Sequence, residues 1–151
     1  MKKVTQLVIP ILAIVVVCSS AYAQFSKSGD AISYRKAAMH LIGVHFTRLA
    51  GMVKGEVPFD KAAFSKNAAV VKTLSELPWE AFVTVGSDKG DTTMKPSVLK
   101  EKDKFMAAAE SFKAQAKKLS ETADAGDTNA VKTQFGESVN ACKGCHSVFR
   151  K

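Results

Sequence analysis

The chain has 151 residues, with 22 Lys and Arg against 14 Asp and Glu and a formal charge of +8. That length suits one domain with a proper core. The aromatic residues do not interleave with a basic cluster, so no nucleic-acid partner is expected.

The first element is a secretory signal. Met1-Lys2-Lys3 is a basic start, Val4 to Val17 is apolar apart from Gln6 and Pro10, and Ala21-Tyr22-Ala23 is an A-x-A cleavage site. Residues 1–23 are thus expected to be removed, and residues 24–151 to form the mature domain. The apolar run is short for a membrane span. Val17 is larger than the residue that normally precedes a lipidated cysteine, so no stable membrane anchor is expected and Cys18 is discarded. The mature chain is read as periplasmic. Losing Lys2 and Lys3 lowers the basic count from 22 to 20 against 14 acidic residues, a charge of about +6. That excess suits an acidic partner, an anionic surface or simply a solvated lysine surface.

Four helical segments follow, with apolar positions recurring at three and four and few strand signals. The first runs from about Asp30 to Val53, with Ser28 or Asp30 as cap. Its stripe is Ile32, Arg35, Met39, Ile42, Phe46, Leu49 and Val53, and Lys54-Gly55 ends it. The second starts at the cap Asp60 and runs to about Leu77, burying Phe64, Ala68 and Val71, before Pro78. Trp79 to Ser97 reads as a long loop with a short turn near Trp79–Val83. The third spans about Pro96 to Ala123, burying Phe105, Phe112, Ala116 and Leu119. After Ala125-Gly126-Asp127, the fourth runs from Thr128 to Phe149, with Val131, Phe135, Val139, Cys142, His146 and Phe149 on one face. The expected fold is all-α, an antiparallel up-down-up-down four-helix bundle. The longer middle loop leaves room for a crossover variant.

Cys142-Lys143-Gly144-Cys145-His146 carries the chemistry. Cys-x-x-Cys-His is the attachment signature of c-type haem. Two thiols add across two vinyl groups of one porphyrin, so they must stand a fixed short distance apart. The adjacent imidazole must reach the iron from the same side. On a helix Cys142 and Cys145 are three residues apart and His146 is four from Cys142, so all three share a face. A thioredoxin-like pair would follow a strand. A zinc site would need further ligands, with only His40 and His45 to draw on. The expected cofactor is one haem c, covalent through Cys142 and Cys145, with His146 as the proximal iron ligand. Both remaining cysteines are then used, and no structural disulfide is left.

Another helix must cover the opposite face, and Met39 is the best candidate to sit there. Either its thioether bonds the iron, giving a low-spin carrier with Met39/His146 axial ligation, or it is an apolar filler that shields the iron. Its stripe position admits both. Arg35 breaks the same stripe one turn earlier. It needs a buried partner, for which a haem propionate would serve, or it snorkels to water. His40 and His45 lie one step off the line and read as surface or boundary residues. Arg150 either approaches the proximal imidazole or complements the helix dipole. No general base or substrate cleft is apparent, so enzymatic turnover is not expected.

The chain resembles cytochrome c′, the class II branch of the c-type cytochromes and a known example of the up-down-up-down bundle. The resemblance rests on the late Cys142–His146 motif followed by Phe149-Arg150, on Tyr34-Arg35 five and four residues before Met39, and on Leu77-Pro78-Trp79 after the second helix. It covers nearly all of residues 24–151. It implies a periplasmic homodimer with contacts chiefly through the first two helices. It also implies five-coordinate iron on His146 and an apolar distal pocket open to nitric oxide and carbon monoxide. By the same resemblance Met39 covers the distal face, Arg35 meets a propionate and Arg150 lies beside the proximal histidine; Met39, Ile42 and Phe46 are read as an apolar distal wall. One-electron exchange with an unknown redox protein partner is expected as well.

Overall fold

The helices begin and end where the backbone's unpaired groups find partners. In the computed structural model, which describes residues 24–151, the elements are α1 (Ser28–Lys54), α2 (Lys61–Leu74), α3 (Trp79–Phe82), α4 (Ser97–Lys100), α5 (Lys102–Ala125) and α6 (Thr128–Phe149). The expected signal peptide lies outside the described residues. Asp60 caps α2 by accepting from the Ala63 amide at 3.0 Å, and Asp127 caps α6 by accepting from the Asn129 and Ala130 amides. Gly55 and Gly126 close α1 and α5 with φ of 75° and 86°, the left-handed turn that only glycine adopts cheaply. At Gly126 a side chain would also meet the Lys61 aliphatic chain.

Three boundaries differ from expectation. Neither Ser28 nor Asp30 caps α1: the cap position is Lys27, whose side chain makes no capping bond. α2 stops at Leu74 rather than Leu77. Pro78 has no N–H to offer the Leu74 carbonyl, and the Ser75 carbonyl accepts instead from the Trp79 indole at 2.6 Å. The third segment is split, because Glu101 leaves helical geometry (φ −120°, ψ 49°) between α4 and α5. The expected turn after Pro78 is the single-turn helix α3.

α1, α2, α5 and α6 form an antiparallel up-down-up-down bundle. α1 packs on α2, α2 on α5 and α5 on α6, while α3 closes the end against α1. Phe64, Val71, Phe105, Leu119 and Val131 are fully buried between them. Trp79 seals the bundle end: its ring lies 6.0 Å from Phe105 and 6.2 Å from Phe112, and Phe105 in turn meets Phe149 edge-on at 5.3 Å. Among the described residues α1 and α6 make no backbone approach comparable to the other three pairs. Nor is any described helix long and apolar enough to cross a membrane.

Candidate functional site

The weakly packed fourth side of the bundle holds the residues singled out by the sequence. Along α6, Val131 and Phe135 are buried; Val139, Cys142 and Cys145 are then only half-buried, His146 is exposed, and Phe149 is buried again. Along α1, Leu49 is buried, Phe46 and Met39 are half-buried, and Arg35 is buried. Cover is therefore incomplete in the middle of both helices, at Met39 and Phe46 on either side of the buried Ile42 and at Val139, Cys142 and Cys145. One end of this seam is closed by the Phe46 and Phe135 rings, 5.7 Å apart. The other is closed by the segment between α3 and α4. Phe46 stands eleven positions after Arg35, about 16 Å along α1.

Cys142, Cys145 and His146 lie on the uninterrupted helix α6, so the one-face geometry read from their spacing holds. Both cysteines are free thiols. Burial pushes the Cys142 thiol up to about 11, with Cys145 adding to the effect. Burial raises the Cys145 thiol as well. His146 is shifted the other way, its pKa lowered first by burial and then by the nearby Arg150 charge. A neutral imidazole is the form that binds iron, so the residues suit the group that the motif implies. Met39, Ile42 and Phe46 supply the apolar wall from α1, and Met39 and Phe46 pack on the same core as Val139, Cys142 and Cys145.

Arg35 is the main surprise. It is 2 % exposed and does not snorkel. Its Nη1 donates to the Ala81 carbonyl (3.0 Å) and Ser87 Oγ (2.9 Å), and its Nη2 to the Ser87 carbonyl (2.5 Å) and Thr92 Oγ1 (2.7 Å). The guanidinium also lies 4.9 Å above the Phe82 ring. Four N–H···O bonds thus tie it to α3 and the following loop, and these protein acceptors are partners that the sequence did not name. Burial lowers its pKa, an effect that Asp88 opposes. The sequence reading passed over Ser87 and Thr92. The available signal was chemical: a buried arginine needs several acceptors, and the following loop carries hydroxyl side chains.

His40 and His45 stay out of the site. His40 is exposed, and His45 Nδ1 lies 2.7 Å from Asn67 Oδ1 of α2. Arg150 pairs with Met94 in an isolated antiparallel bridge, and its amide donates to the His146 carbonyl at 3.1 Å.

A family model described as Cytochrome C′ matches residues 30–150. The chain belongs to the cytochrome c′ family. It is 46 % identical over 129 residues to the cytochrome c′ of Rubrivivax gelatinosus, covering 85 % of this chain and 99 % of that one. It is 40 % identical over 128 residues to that of Alcaligenes xylosoxydans xylosoxydans, covering 85 % and 98 %. The crystal structure of the Rubrivivax protein superposes with a TM-score of 0.80, over 85 % of this chain and all of that chain. A nitric oxide complex of a variant cytochrome c′ from Alcaligenes xylosoxidans matches at 38 % identity with a TM-score of 0.78, covering 85 % and 98 % of the two chains. Membership of the cytochrome c′ family implies c-type haem, and the free thiols of Cys142 and Cys145 stand where the attachment signature requires them.

Proposed function

We propose that this protein is a periplasmic, homodimeric haem c protein that binds small diatomic gases at a sterically guarded distal site and exchanges single electrons with a redox protein. When bound, haem supplies an iron that takes a gas ligand and changes oxidation state by one. The chain supplies everything else. Cys142 and Cys145 tether the ring through thioethers, and His146 offers a neutral imidazole on one side. Burial, and after it the Arg150 charge, lower the pKa of that imidazole and so favour its neutral form. Met39, Ile42 and Phe46 wall the other side. The wall offers no hydrogen-bond donor to steady dioxygen or a polar ligand, so small neutral gases are favoured. The protein is read as a carrier or buffer rather than an enzyme.

The observation that carries this reading is the seam itself: an apolar α1 wall opposite the Cys-x-x-Cys-His face, with Arg35 one turn before Met39 held by Ala81, Ser87 and Thr92. Support for the ligand class comes from the nitric oxide complex of the Alcaligenes relative. The competing arrangement bonds Met39 to the iron and makes the protein a pure electron carrier. Optical spectra of the holoprotein separate the two. High-spin features that change on adding carbon monoxide or nitric oxide are expected. A methionine–iron charge-transfer band with no carbon monoxide uptake on reduction would sink the gas-binding reading. Met39→Ala is expected to speed carbon monoxide association while leaving the spin state unchanged, whereas a bonded thioether would make the spin state change.

A further inference from the structure

The segment between α3 and α4 touches both helices of the seam, at the same end. On the α1 side it is held by Arg35, four residues before Met39, through Ser87 and Thr92. An exposed Lys36–Asp91 ion pair adds little to this. On the α6 side the Lys95 amide donates to the Phe149 carbonyl at 2.9 Å, and the Lys151 amide donates to the Thr93 carbonyl at 2.8 Å. One atom joins the two halves. Thr92 Oγ1 accepts from Arg35 Nη2 at 2.7 Å and from the Met94 amide at 3.1 Å. Met94 is in turn the residue bridged to Arg150, whose amide donates to the His146 carbonyl. The Thr92 hydroxyl thus links Arg35, one turn before Met39, to the backbone of Met94, and the flanking bonds of residues 93 and 95 link that backbone to the end of α6.

We infer that Thr92 is a positioning residue that couples the helix bearing the distal wall to the helix bearing the proximal histidine. Among the described residues α1 and α6 have little direct backbone packing, and at this end the strap is bonded to both. Arg35 is fixed by four bonds and anchors one edge; the paired residues 93–95 and 149–151 anchor the other. The hydroxyl of Thr92 is the joint between the edges. Without it Arg35 keeps Ala81 and Ser87, and the bridge to α6 is tied to α1 only through the intervening residues 88–91 and the exposed Lys36–Asp91 pair. The distal wall then yields more easily to an incoming gas. That last effect rests on the gas-binding reading; the strap does not.

Thr92→Val removes the hydroxyl at nearly constant shape, and Thr92→Ser restores it. In the holoprotein, Thr92→Val is expected to speed hydrogen exchange at the Lys95, Arg150 and Lys151 amides at least tenfold, leaving the α2 amides unchanged. It is also expected to raise the carbon monoxide association rate of the ferrous protein several-fold. Thr92→Ser should return both to the wild-type values. Unchanged exchange at those three amides in Thr92→Val would overturn the inference. So would exchange that rises equally in α2, since that reports general loss of stability. If the wild-type protein takes up no carbon monoxide, the gas-binding reading fails, and amide exchange decides the strap by itself.

Discussion

On the α2–α5 side of the bundle, Phe64, Val71, Phe105 and Leu119 are sealed against one another. On the α1–α6 side, Met39, Phe46, Val139, Cys142 and Cys145 are left half-covered. Both sides carry the same three-and-four apolar spacing. The difference lies in what the helices are given to pack against. Large apolar side chains fill the space between α2 and α5, whereas among the described residues α1 and α6 are linked by the Phe46–Phe135 ring pair and by a polar strap bonded to both. Stability and chemistry are therefore carried by different faces of one fold, and substitutions should separate them.

The largest separation is expected from the double change Cys142→Ala with Cys145→Ala. It should abolish the haem stain that survives denaturing electrophoresis, while the α2–α5 core keeps its helical circular dichroism. A stain retained by the double variant would break the assignment. Next comes Phe105→Ala, which removes a buried ring that touches Trp79, Phe82 and Phe149. A loss of about 3–5 kcal/mol in denaturant unfolding is expected, with the haem spectrum of the remaining folded protein unaltered. A spectral change at low denaturant would mean that the two faces are not independent. The smallest effect belongs to Asp127→Ala, which strips the α6 cap from the Asn129 and Ala130 amides. It should cost about 1 kcal/mol and leave gas binding untouched, because the cap lies at the far end of α6 from the motif.

How much of this was legible in the sequence follows the range of the forces involved. The Cys142–His146 motif and the four long helices rest on spacing within one segment, and periodicity reports that directly. The caps at Asp60 and Asp127 were readable for the same reason. The end of α2 was not, since it depends on the Trp79 indole taking the Ser75 carbonyl from across a turn. The partners of Arg35 were less accessible still. They lie 46 to 57 residues away, in a loop with no periodicity to place it. A buried charge in an apolar stripe says that a partner exists but not which one. The strap between residues 93–95 and 149–151 is invisible on similar grounds, because backbone pairing of an isolated bridge leaves no residue-type signature.

Trp79 gives this molecule a lamp of its own. It is the only tryptophan in the chain, and it sits in the buried aromatic cluster at the bundle end, within ring contact of Phe112, which in turn meets Phe46 at the seam. Indole emission overlaps porphyrin absorption, so energy passes from one to the other when both are held inside a small fold. The loaded protein should be dark and the unfolded chain bright. Cofactor retention and unfolding can thus be followed in one cuvette, with no label added.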